Sequence, residues 1–271
     1  MAFKIGFSTE HPDNKPVEDI NIVSQQAIAP RKSVVQVHFA GRNMTLAYYN
    51  DQFDLHVGDM VYVDGKLEGQ RGRVVDVNYN FKIKLSEYKR VIAVVNTNVT
   101  GRFFMAGSHF VTFDREVLPA SRIITWFKAP TKEDEEFASG SDDAAIRLDD
   151  LKGMNVSAAI AERGHSYYME NRVRYISIDG TKGYAIVESS EAYEVEFVYH
   201  DGEISNLICS CFCSYNCKHE FATMLQLRET LDLIENHYSD KYERTGYFAA
   251  MDKETLFGFA IEGKETGSFT I

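Results

Sequence analysis

Cysteine is scarce in this 271-residue chain: there are four, and none lies outside the nine positions from Cys209 to Cys217. That distribution excludes a disulfide framework joining distant parts of the fold, and clustered thiols fit a reducing cytoplasm. Long apolar runs are missing too. No stretch approaches the roughly 20 apolar residues of a membrane-spanning helix, and Met1 to Glu10 lacks the apolar core of a signal peptide. Positive charge is in the minority, since 29 Lys and Arg against 40 Asp and Glu leave a net charge of −11. A chain so acidic is not expected to coat nucleic acid non-specifically. Catalytic signatures are also lacking. No G-x-S-x-G occurs, and Gly263 to Ser268 does not have P-loop spacing. His11, His38, His56, His109, His165, His200 and His237 have no partner at ligand spacing, so the chain is expected not to be an enzyme.

What is present is a dense group of metal-ligand residue types. Cys209, Cys211 and Cys217 with His219 offer three thiolates and an imidazole, the donors that zinc prefers in a closed tetrahedron. Cys209 and Cys211 stand two apart at the end of an expected strand, where residues i and i+2 share a face and can hold one ion together. Cys211 and Cys213 have the same spacing, which makes Cys213 an alternative ligand. The first pair is preferred because it leaves five residues, Phe212 to Asn216, to close the loop. Three residues between Cys213 and Cys217 would be tight. Two disulfides among cysteines so close in sequence would be strained and would leave His219 unexplained; reactive thiols are the other alternative. Three thiolates and a neutral imidazole around a divalent cation carry net negative charge, which Lys218 and a helix dipole can offset. The expectation is one structural Zn2+ per chain.

The flanking residues give the site its setting. Tyr193, Val195, Phe197 and Tyr199 alternate along a strand, and the Asp201-Gly202 turn returns Ile204 to Ile208 beside it as a hairpin. Downstream, Met224, Leu227, Leu231, Ile234 and Tyr238 form the stripe of an amphipathic helix beginning near His219. With these residues in place, the pattern C-x-C-x5-C-x-H resembles the SWIM zinc finger of Swi/Snf-type helicases, Mutator-type transposases and certain ubiquitin ligases. Arg163-Gly164, Tyr167-Tyr168, Val173 and Ser189-Ser190 extend the likeness upstream to about residue 153, while Phe212 and Cys213 depart from the usual longer loop. The resemblance implies a non-catalytic zinc module that binds DNA or protein.

Elsewhere the sequence suggests an α+β organisation. Residues 1–32, punctuated by Pro12, Pro16 and Pro30, read as irregular. Over 33–130, short alternating segments end with Tyr79, Phe81, Ile83 and Leu85, and turn signals separate them. That spacing predicts a small β-barrel, with one or two more hairpins between Val91 and Phe127. Val57 to Val63 followed by Gly72 to Val77 resembles a KOW or SH3-like barrel. From Thr131 to Asp150, carboxylates far outnumber Lys132 and Arg147, which reads as a solvated linker. Residues 151–271 would then form the zinc-finger domain. Candidate phosphate contacts are Lys82, Lys84 and Arg90 on the barrel, and Arg163, Arg172, Arg174 and Lys218 around the finger. The expected function is that of a zinc-binding adaptor for DNA or for a DNA-processing protein, with a helicase served in trans as one such partner. A protein scaffold without nucleic-acid affinity and an enzyme with an unrecognised site are the alternatives.

Overall fold

Alternating apolar residues in the first third of the chain build an antiparallel sheet. The structure, a computed structural model, describes residues 30–130, 145–211, 213 and 215–261. Strands β1 (Ser33–Phe39), β2 (Met44–Asn50), β3 (Met60–Val63), β4 (Arg71–Asn78) and β5 (Val91–Val95) are ordered β2-β1-β4-β3-β5. Their inward residues, among them Val35, Val37, Val61, Val63 and Val74, form one core cluster. The expected barrel does not close into a continuous ladder. Its end strands meet at an isolated bridge between Tyr49 and Arg90, where the Tyr49 N–H donates to the Lys89 carbonyl at 2.8 Å.

The run from Tyr79 to Leu85 is a further correction. It alternates like a strand but has no neighbour to pair with, so it is irregular up to a short 3-10 turn at Leu85–Glu87. Phe81 packs edge-on against Tyr49, with ring centroids 6.0 Å apart.

A second, larger sheet takes strands from both halves of the chain. Strands β6 (Phe103–Ala106) and β7 (Phe110–Phe113) form the expected hairpin, yet β7 pairs with β13 (Tyr247–Asp252) and not with the first sheet. With β8 (Ile146–Arg147), β9 (Val173–Asp179), β10 (Lys182–Glu188), β11 (Ala192–His200) and β12 (Glu203–Cys209), the order is β6-β7-β13-β9-β10-β11-β12-β8. The helices are α1 (Ala120–Phe127), α2 (Ala158–Met169), α3 (Lys218–Leu233), α4 (Ser239–Thr245) and α5 (Lys253–Ile261).

Successive residues of the central strands feed opposite faces, as the strand period requires. Ile176, Ala185, Phe248 and Ala250 join the core beneath α3, together with Met224, Leu227 and Ile234. Tyr175, Ile186, Ala249 and Met251 join the other core, which also holds Met60 and Tyr62 of β3, Trp126 of α1 and Phe259 of α5. Trp126 is fully buried, stacks on Phe259 at 4.8 Å and donates its indole N–H to the Asn96 carbonyl. Sheet pairing and apolar packing therefore both run across the division expected at residue 130.

Residues 1–29 of the expected irregular segment and 131–144 of the expected linker lie outside the described residues. The last part of that linker is packed. Ile146 and Leu148 are buried, β8 pairs with β12, and Asp150 caps the turn at Leu151–Met154 by accepting from the Lys152 N–H. Backbone bonds join in the docking: the Leu148 N–H donates to the Gly202 carbonyl at 2.9 Å, and Arg228 Nε donates to the Leu148 carbonyl at 2.6 Å.

The shared core generates a prediction. Residues 1–130 and 145–271 produced as separate chains should each lack a cooperative thermal transition and should recover one when co-expressed and co-purified. Two pieces that unfold cooperatively as independent monomers would show that the shared core is dispensable.

Candidate metal centre

The hairpin ends where the ligands begin. Asp201 and Gly202 both have positive φ, 48° and 83°, the conformation a type I′ turn needs to match strand twist. From there the register runs to the pair Val195–Cys209, and the Ser210 N–H donates to the Glu194 carbonyl at 2.9 Å. Past this point the backbone curls back on its own sulfur, with the Cys211 N–H donating to Cys209 Sγ at 3.5 Å. The Asn216 side-chain amide then donates to the Met154 carbonyl at 2.6 Å and fixes the far side of the loop.

Cys217 is the N-cap of α3. Its backbone N–H donates to the Glu220 carboxylate at 2.8 Å, while its sulfur accepts from the backbone N–H of Glu220, a capping box built on a thiol. The helix thus starts with Lys218 and His219 in its first turn. Helix α2 packs closely on that turn because Gly164 has no side chain: a Cβ there would lie 2.8 Å from Phe221 Cβ and 2.9 Å from the Lys218 carbonyl oxygen.

These elements bring four donor atoms together. One donor atom each from Cys209, Cys211, Cys217 and His219 lies within 4.8 Å of all the others. His219 Nδ1 is 3.6 Å from Cys209 Sγ and 3.7 Å from Cys217 Sγ. A tetrahedral ion with sulfur at about 2.3 Å and nitrogen at about 2.0 Å requires sulfur–nitrogen separations of about 3.5 Å. The four residues are positioned to bind one metal ion. Cys213 is exposed and stands outside the group.

Electrostatics fit the same reading. The Cys209 thiol, hydrogen-bonded to Cys217 and buried, is pushed far above its ordinary range, and burial takes Cys211 up to about 12. Cys217, accepting from Cys209 and, against the opposing effect of burial, from His219 and the Glu220 N–H, is held down to about 4. Among the three thiols, the negative charge is thus favoured most at Cys217. A divalent ion at the centre of the cluster would favour all three thiolates. Burial, followed by the neighbouring Cys217 charge, pushes Glu220 up to about 8.

Sequence reasoning did not single out Glu220, although its place three residues after Cys217 is capping-box spacing. It also gave no role to the stacking of Tyr193 on His219, at 4.4 Å between centroids and 20° between planes. That contact joins a strand to a helix, and no spacing encodes it.

The candidate phosphate contacts are dispersed and mostly engaged. Lys84 pairs with Glu87 at 3.2 Å and Arg90 with Asp51, while Lys82 is exposed on the irregular segment and not on a strand face. Arg172 pairs with Glu170 at 2.6 Å, and Arg174 pairs with Glu188 at 2.8 Å and with the buried Asp252 at 3.2 Å. Lys218 donates to the Tyr167 hydroxyl at 2.7 Å, and the exposed Arg163 donates to the Ala159 carbonyl within α2. Among the described residues, no helix is long and apolar enough to cross a membrane.

Metal analysis of the full chain, purified under reducing conditions, should find about one equivalent of metal. Cys209→Ser, Cys211→Ser, Cys217→Ser and His219→Ala should each lose it, while Cys213→Ser retains it. Loss in Cys213→Ser with retention in Cys209→Ser would show that the ligand set is wrong.

Comparison with known protein families, with characterised proteins and with solved structures finds no match for this chain, so the functional reading rests on the geometry of the metal centre.

Proposed function

We propose that the chain is a zinc-dependent interaction adaptor whose module, built from the β11–β12 hairpin and α3, engages a protein partner. The supporting observation is the closed set of three thiols and one imidazole. Sulfur-rich donors at these separations suit zinc, and four protein ligands leave no open position for substrate or activated water. The ion then acts as a clamp between the hairpin end and the helix start. In small zinc modules such a clamp supplies folding energy on the order of 10 kcal/mol. The SWIM resemblance points to the same role, with proteins that work on DNA as the first class of partner to examine.

A protein partner is favoured over DNA by the charge arrangement. Arg90, Arg172 and Arg174 each face a carboxylate, so a phosphate approaching any of them also meets an anion. Surface pairs are individually worth only about 0–1 kcal/mol and would open readily. The carboxylates would remain, however, in a chain of net charge −11.

Two measurements test the proposal. The full chain used as bait in lysate of its native cell should retain the same partner with and without nuclease, and His219→Ala should lose it. Labelled single- and double-stranded DNA titrated at low salt should bind weakly or not at all. Tight DNA binding with a steep salt dependence, weakened by roughly one unit of slope for each of Arg172 or Lys218 removed, would replace the protein reading with a nucleic-acid one.

A further inference from the structure

We infer that Tyr193 is a positioning residue for the metal centre, its ring holding the His219 imidazole so that Nδ1 faces the three sulfurs. This inference rests on the metal-binding reading. A histidine bound to metal ordinarily donates its second ring N–H to a carboxylate, a carbonyl or water, and that bond fixes the ring's orientation. His219 has no such bond among the described residues: the residue is 4% exposed, and its Nε2 atom is buried without a hydrogen-bond partner. The torsion that turns an imidazole about its Cβ–Cγ bond has broad minima, so something else must hold the plane.

Two aromatic rings flank it, and they are not equivalent. Tyr167 lies 5.7 Å away, tilted by 58°, with its hydroxyl committed to Lys218 and Ser189. Tyr193 lies 4.4 Å away and only 20° from parallel, so any turn of the imidazole drives one ring edge into it. Strand register puts Tyr193 there. It pairs with Val187 on β10, and Val195, two residues on, pairs with Cys209. Period-two alternation then places Tyr193 on the same sheet face as the first ligand. Stacking one face of the imidazole leaves rotation restricted and the Nδ1 direction set. The hydroxyl of Tyr193 has no part in this, since the restraint comes from the ring.

The test uses the full chain, with zinc affinity from chelator competition and ligand geometry from the visible spectrum of the cobalt(II) form. Tyr193→Phe should bind zinc within about twofold of wild type. Tyr193→Leu should bind about 10–100-fold more weakly, the usual effect of removing an outer-shell support, with altered cobalt bands. In a His219→Cys background, where a sulfur ligand has no ring to orient, Tyr193→Leu should change affinity by less than about twofold. Tyr193→Val, better suited to a strand, replaces the leucine variant should that one fail to fold. An equal loss in both backgrounds would overturn the inference and make Tyr193 a packing residue. So would a phenylalanine variant as weak as the leucine one. A wild-type chain that binds no zinc would instead overturn the metal reading itself, and that is observed before any variant is compared.

Discussion

Burial of both faces of the eight-stranded sheet governs the placement of everything else. Strands β9, β10 and β13 carry apolar residues at consecutive positions, so each face must be covered by another layer. Helix α3 covers one face through Met224 and Leu227; α1, α5 and part of β3 cover the other. Because α3 begins at Lys218, laying it on the sheet carries His219 to the end of the β11–β12 hairpin. The convergence of ligands is thus a consequence of packing as much as of spacing.

The same packing explains how the site tolerates its charge. Three sulfurs within 4.8 Å of one another repel when ionised, and among them Cys217 is the one whose pKa is lowered, chiefly by the hydrogen bond from Cys209. Its position at the N-cap of α3 adds the helix N–H groups as donors, which favour negative charge at that end. Glu220 adds a second buried acid beside it. Such a site stores a demand for positive charge that Lys218, turned over the Tyr167 ring at 4.5 Å, meets only from outside.

Some of this was legible along the chain. Alternation placed β1 through β4 and the β11–β12 hairpin, the Asp201-Gly202 turn was predictable from its residue types, and Met224, Leu227 and Leu231 announced α3, while Ile234 and Tyr238 of the same stripe fall in the π-helical turn that follows it. The candidate ligand set Cys209, Cys211, Cys217 and His219 followed from spacing, because i and i+2 on a strand and the first turn of a helix are local geometry. Tyr79 to Leu85 misled for the opposite reason: alternation describes a face, and a strand also needs a neighbour to bond. Ile146 and Leu148 were hidden in an acidic run whose charge dominates its composition.

What the sequence by itself determined is therefore local: which segments can be strands, where turns fall, and which side chains can hold a metal. The tertiary structure alone decided that β13 lies between β7 and β9, joining Met251 to Val111 and to Tyr175. It alone decided that the barrel strands stay an open sheet, that the end of the acidic stretch docks, and that Tyr193 lies flat against His219. Each of these is a contact between residues far apart in the chain, chosen by which apolar faces can cover one another, and no local period carries that information.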